Sequence, residues 1–285
     1  MNLNLGVRAH DMEKRPLAEL SEAIAAKGFT CIQLALRKSF EDMNINPGSL
    51  SSGLARSIRN SFQQHQVEIA VLGCYINMIH PNLNERNKGL DFFKEHIHFA
   101  KNFGCTIVGT ETGNVYADIK YTEENFREEP FQAVVNSVRD LVNEAEKFDV
   151  IVGIEPGVNH PIYSSKTMKR LLDTISSQNL QVILDPVNLL TVETYINQEQ
   201  IIQEAFDLLG DRIVIIHAKD FTIKDGELKT VPVGQGLLDY NKIFSLVKER
   251  KPDMKVLMES TKEKDMGNSI LYLRKQYKST EQTDK

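Results

Sequence analysis

A single eight-stranded β/α barrel, an α/β fold, is what this sequence predicts, on three observations. Short Val- and Ile-rich runs alternate with longer amphipathic ones along the whole chain. The alternation repeats about eight times at roughly 36 residues a period, which suits a (β/α)8 barrel of about 250 residues plus insertions. The first apolar run leads into GVRAHDMEKRP, without the glycine-rich phosphate turn that an open doubly wound sheet usually carries there.

The apolar runs fall at about 2–8, 29–35, 67–74, 105–111, 150–155, 180–185, 212–217 and 255–259. They hardly alternate in polarity, as strands covered on both faces should not. The first helix follows in PLAELSEAIAAKGF: Pro16 suits the first turn, Leu17, Leu20 and Ile24 share a face, and Gly28 suits the position past the end. GLDFFKEHIHFAKNFG, 89–104, repeats the design, with Phe92, Phe93, His96, Phe99 and Phe103 near helical spacing and Gly104 as the stop. Further helices are predicted over 51–65, 131–148, 165–177, 194–209, 239–250 and 264–276. Two polar insertions, 36–50 and 113–129, follow the second and fourth strands, on the face where barrel enzymes keep their sites. One domain over 1–276 is expected, with 277–285 as a frayed, disordered polar tail.

Composition narrows the function. The chain has 285 residues, 41% of them hydrophobic, enough for one large core. A net charge of −5 argues against nucleic acid as a partner. No run approaches about 18 uninterrupted apolar residues, so no membrane partner is expected. The start, MNLNLGVRAHD, lacks the basic-then-apolar pattern of a signal peptide, and a cytoplasmic protein is expected. Cys31, Cys74 and Cys105 lie far apart inside apolar stretches with no CxxC, which suits reduced core thiols and not a disulfide frame or a Cys-based zinc site.

The candidate site rests on a recurrence. VIVGIEPG, VILDPVNLL, IVIIHAKD and VLMES each run apolar and then stop at Glu155, Asp185, His217 and Glu259, spaced by 30, 32 and 42 residues. One charged residue at a strand end usually marks the exit to solvent. Four successive ones converge on a single barrel mouth. Carboxylates packed so closely repel in a low dielectric, and a divalent cation is the economical partner. Three carboxylates and an imidazole suit Mn²⁺, Mg²⁺ or Co²⁺, with Zn²⁺ also admitted.

The order Glu, Asp, His, Glu at strands five to eight, with IEPG, LDPVN, HAKD followed by VGQG, and MES, resembles the xylose-isomerase-like TIM barrel superfamily. Sugar-phosphate isomerases and epimerases, ketose 3-epimerases and inosose dehydratases belong to it. The resemblance covers nearly the whole chain and is specific for the superfamily, not for a substrate. It implies Glu155, Asp185, His217 and Glu259 as metal ligands, with Glu155 and Glu259 doubling as the catalytic acid/base pair. Many relatives carry His three residues after the metal-binding Asp; here the residue is Asn188, a poor ligand that cannot titrate. That speaks against a multinuclear site and against the superfamily's endonuclease branch, whose late Asp-x-His pair is also missing.

Substrate contacts are expected from Asn188, from His80 and Glu111 after the third and fourth strands, and from Lys219, which points to the same side as His217 by strand periodicity. Arg8 at the end of the first strand and His160, five residues beyond Glu155, complete the set. For Lys219 the plainer reading is an ion pair with Asp220 or another acid, and for Gly234 and Gly236 a plain turn and not a phosphate cradle. The expected activity is isomerisation or epimerisation of a polyhydroxylated carbonyl compound, a sugar or sugar phosphate, through an enediolate. The rival is a lyase of inosose or dehydroshikimate type using the same carboxylates; a barrel that only binds a sugar or cyclitol is a third reading. The sequence leaves the oligomeric state open, a homo-oligomer included.

Overall fold

Residues 2–280 are described by the computed structural model. Among them eight strands close a parallel barrel in the order β1-β10-β7-β6-β5-β4-β3-β2, with β2 paired back onto β1. They are β1 (Asn4–Arg8), β2 (Cys31–Leu34), β3 (Glu68–Gly73), β4 (Ile107–Glu111), β5 (Ile151–Glu155), β6 (Leu180–Leu184), β7 (Ile213–Ala218) and β10 (Lys255–Met258). Each coincides with one predicted apolar run. The helices are α1 (Leu17–Ala26), α2 (Leu36–Ser39), α3 (Ser52–Gln63), α4 (Leu83–Phe99), α5 (Glu128–Phe148), α6 (Ser165–Ile175), α7 (Gln198–Leu209), α8 (Tyr240–Arg250) and α9 (Met266–Ser279).

Three elements depart from expectation. Helix α4 begins at Leu83, not near Gly89, because the Asn82 side chain accepts from the N–H groups of Asn84 and Glu85 and caps two polar turns that carry little apolar signal. Helix α9 runs on through Ser279, into the stretch expected to fray: the buried Tyr277 ring stands edge-on to Phe244 at 5.4 Å and anchors the last turn. The rest of that expected tail, 281–285, lies outside the described residues. An antiparallel hairpin, β8 (Asp220–Lys224) and β9 (Glu227–Val231), follows β7 directly. Its signal was Asp225-Gly226, both at positive φ (57° and 76°), the two-residue turn whose twist matches the strands it joins.

Inside the barrel, Cys31, Ala70, Val71, Ile183, Ile215 and Leu257 form one apolar cluster. Glycines leave it room: a Cβ on Gly6 would stand 2.3 Å from the Cys31 carbonyl oxygen, and one on Gly109 would stand 2.6 Å from Ile183 Cδ1. Outside, Phe62, Phe93, Phe103, Phe206 and Phe244 are fully buried between helices and sheet. All three cysteines are free and buried, and burial raises the thiols, Cys105 to about 11 and Cys31 to about 12. No helix among the described residues is long and apolar enough to cross a membrane.

Neither insertion is a loose loop. In 36–50, α2 forms and Phe40, Ile45 and Leu50 are buried. In 113–129, three asparagines pin the backbone. Asn77 Nδ2 donates to the carbonyls of Asn114 (3.0 Å) and Tyr116 (2.8 Å), and Asn114 Nδ2 donates to those of Lys120 and Asn159. Asn125 accepts from the Val115 N–H and donates to Asn159. Buried backbone must find partners, and here side-chain amides supply them.

Candidate metal centre and active site

The strands β10, β7, β6 and β5 are consecutive in the ring, so their C-terminal ends deliver four polar residues side by side. Glu155 is the last residue of β5, Asp185 follows β6, His217 lies one residue before the end of β7, and Glu259 follows β10. All four are buried at 4% exposure or less. One ligand atom from each lies within 4.8 Å of all the others. That is close to the span of donors around one cation, about 4.2 Å for opposed bonds of about 2.1 Å.

Local structure sets each side chain. Pro186 bends the chain after Asp185, whose Oδ1 accepts the N–H of Val187 at 2.8 Å and of Asn188 at 3.4 Å, leaving Oδ2 toward the site. His217 turns Nδ1 to the glutamates, 2.9 Å from Glu259 Oε2 and 3.4 Å from Glu155 Oε1. Its other nitrogen, Nε2, meets Gln33 Oε1 at 2.9 Å. Despite that closeness, His217 Nδ1 and Glu259 Oε2 are buried polar atoms without a hydrogen bond of acceptable geometry. Two unpartnered ligand atoms facing one space, in a set of three carboxylates and an imidazole, fit a divalent cation.

Protons and two side-chain cations balance the charge of the protein alone. Lys219 Nζ lies 3.1 Å from Asp185 Oδ2, 2.9 Å from Glu259 Oε1 and 2.7 Å from Asn188 Oδ1. Arg8 reaches Glu259 Oε1 at 3.0 Å while its Nε holds Asp11 at 2.9 Å. Burial penalises the charge on Glu259, yet Lys219 and His217 hold its carboxyl well below the usual range. Burial pushes Asp185 up to about 6 against the pull of Lys219. Burial also opposes charge on His217, but Glu155 and Glu259 raise it to about 10. A cation bound at these atoms would displace that proton.

The other expected contacts divide. Asn188 Nδ2 donates to Glu155 Oε1 at 2.7 Å, so it joins the cluster by orienting a carboxylate. Lys219 pairs with acids, as the plainer reading allowed, but they are Asp185 and Glu259 of the cluster and not its neighbour Asp220. Glu111 stands beside Glu155 in the ladder, half-buried, 3.8 Å from His160 Nε2. His160 is fixed by Nδ1 to the Gly113 carbonyl at 2.8 Å. His80 stands apart from these contacts: its Nδ1 accepts the Asn82 N–H at 3.1 Å, which ties it to the start of α4. The glycines of VGQG form no open cradle, because the Asp220 carboxylate fills it, accepting from the N–H groups of Gly234 (2.9 Å), Gly236 (3.0 Å) and Leu238 (3.1 Å).

Three residues outside the expected set, Gln33, Tyr75 and His10, adjoin the site. Gln33 is 1% exposed and is the single polar residue of β2, which was its signal. His10 sits edge-on to Tyr75 at 6.0 Å, with Nδ1 buried and without a partner. Burial, with Arg8 adding to it, lowers His10 to about 4. A histidine whose folded pKa lies below its unfolded one leaves stability intact above about pH 6.5 and erodes it as pH falls toward 4. His10 alone should therefore cost up to about 2 kcal/mol between pH 7 and pH 5. Urea unfolding at the two pH values should show a smaller loss for His10→Gln than for the wild type. Equal losses would mean that the ring is charged in the folded protein.

Fold and site together define a (β/α)8 barrel with a cation-competent carboxylate–imidazole centre at the C-terminal ends of its strands. The chain belongs to the xylose isomerase-like TIM barrel family, whose sequence profile matches residues 21–276. Among solved structures it is similar to a D-tagatose 3-epimerase-like protein, at 18% identity over 98% of both chains with a TM-score of 0.77. It is also similar to the probable 3-DHS dehydratase AsbF from Bacillus anthracis, at 15% identity over 100% of both chains with a TM-score of 0.71. A third is the IOLI protein with a bound zinc atom, at 17% identity over 98% of this chain and 96% of that one, with a TM-score of 0.69. No curated protein sequence matches this chain.

Proposed function

We propose that the protein is a divalent-metal-dependent isomerase or epimerase of a polyhydroxylated carbonyl compound, a sugar or sugar phosphate. The observation that carries this reading is the pair Glu155 and Glu259, which enter from the two ends of the four-strand arc and face one imidazole nitrogen. Glu155, Asp185, His217 and Glu259 would hold the cation. Bound there, it polarises a carbonyl and the neighbouring hydroxyl and so acidifies the adjacent C–H.

The chain's own groups do the rest. One glutamate takes the proton from that carbon, leaving an enediolate, and the other returns a proton to the opposite face or to the neighbouring carbon. The partners of the two differ: Glu259 has Arg8, Lys219 and His217 around it, whereas Glu155 has the neutral Asn188 amide and His217. Lys219 and Arg8, whose nitrogens reach the cluster from the rim, serve as donors to substrate oxygens, and Glu111 with His160 lines the opposite wall. The family's epimerase and dehydratase neighbours agree with a small polyhydroxylated substrate.

Incubation with Mn²⁺ and a ketose panel in deuterated water tests the proposal. One deuterium should enter next to the carbonyl of a turned-over ketose, with no loss of water. Release of water with a new ultraviolet chromophore would replace it by the lyase reading, and no exchange on any member would remove it.

A further inference from the structure

Gln33 lies on β2, three strands round the ring from β7, and meets the cluster at His217. Its amide is buried and spends both ends on side chains. Oε1 lies 2.9 Å from His217 Nε2, and Nε2 donates to the Tyr75 hydroxyl at 2.6 Å. A neutral imidazole carries one proton, and the nitrogen opposite the proton has the lone pair. At His217 the nitrogen directed at Glu155 and Glu259 is Nδ1, which has no well-formed hydrogen bond. The proton then belongs on Nε2, and only an acceptor there keeps it in place.

We infer that Gln33 is a positioning residue: by accepting the Nε2–H of His217 it makes Nδ1 the metal-ligating nitrogen. This rests on the reading of Glu155, Asp185, His217 and Glu259 as a cation site. Orientation is the crux. Turned over, the amide would donate to Nε2 and force the proton onto Nδ1, where a cation has to sit. In the orientation observed, the amide nitrogen donates to the Tyr75 hydroxyl at 2.6 Å, so both ends of the amide are satisfied. Outer partners of ligating histidines commonly act this way, and their loss weakens metal binding about 10–100-fold.

The test compares wild-type protein with Gln33→Leu and Gln33→Glu. Calorimetric titration with Mn²⁺ should show the dissociation constant rising about 10–100-fold in Gln33→Leu. Gln33→Glu should restore binding to within a few-fold of the wild type, since a carboxylate accepts the same N–H and Tyr75 can turn its hydroxyl to donate. Nitrogen-15 spectra of the Zn²⁺-loaded wild type should show a proton on His217 Nε2, protected from exchange, and metal-shifted Nδ1. In Gln33→Leu that protection should fall. Equal Mn²⁺ affinity in wild type and Gln33→Leu overturns the role of Gln33 and leaves the cation site standing; a proton on Nδ1 of the metal-loaded protein overturns that role and removes His217 from the ligands. A wild-type protein that binds no Mn²⁺ overturns the site, and this role with it. Should Gln33→Leu fail to fold, the wild-type spectrum and Gln33→Glu decide.

Discussion

Glu155→Gln and Glu259→Gln are each expected to lower turnover at least about 10²–10⁴-fold, the usual worth of a positioned acid or base. Both substitutions also remove a metal ligand, so the comparison belongs at Mn²⁺ concentrations that saturate each variant. The two should part company in stability. A glutamine at 155 still offers Oε1 to the Asn188 amide, which now donates at 2.7 Å, so the loss there is confined to the charge that faces His217 at 3.4 Å. At 259 the lost charge leaves Arg8 and Lys219 without a carboxylate that each touches at about 3 Å. Breaking a buried pair in that way costs about 3–5 kcal/mol. Glu259→Gln should therefore unfold at distinctly lower urea than Glu155→Gln, while both keep the circular dichroism of the native barrel. Wild-type turnover in either variant would withdraw the acid/base assignment.

Removing divalent metal should silence the protein and restoring it should stabilise the fold. A ligand bound only by the folded state at a hundredfold its dissociation constant adds about 2.7 kcal/mol. For a chain of this size that is a rise in melting temperature of roughly 5 °C, at about 2 °C per kcal/mol. The rise should vanish in Asp185→Asn, whose Oδ2 is the oxygen left toward the site once Oδ1 has taken the Val187 N–H. Binding must also expel the proton that Glu155 and Glu259 hold on His217, so the apparent affinity should climb with pH below about 10. An unchanged melting temperature with Mn²⁺ in the wild type, at any pH from 6 to 9, would disprove the centre.

Much of the barrel was readable because strand and helix signals here are local. A strand covered on both faces is a short apolar run, and a helix under it is an apolar stripe ended by Gly28 or Gly104 at positive φ. The signal failed where stability comes from elsewhere in the chain. The first turns of α4 stand on a cap, and the last turn of α9 stands on Tyr277 against Phe244. The β8–β9 hairpin does carry its Asp-Gly mark, a two-residue signal beside a periodic pattern that spans the whole chain. The polar 113–129 stretch had the composition of a loop, but its order comes from Asn77, Asn114 and Asn125, partners that no local pattern pairs.

From its order of residues alone, the chain determined that Glu155, Asp185, His217 and Glu259 end neighbouring strands of one closed sheet. Strand endings are local, and ring closure then makes neighbours of consecutive endings. Which atom of each points inward, and what else stands beside it, only the tertiary structure decided. Lys219 lies against Asp185 and Glu259, Asp220 fills the VGQG turn, and Gln33 takes the far nitrogen of His217. Those outcomes depend on side-chain directions, from β2 to β7 within the barrel and from β8 to the loop before α8. Hydrogen bonds of about 3 Å between residues so distant in sequence have no counterpart in periodicity or composition.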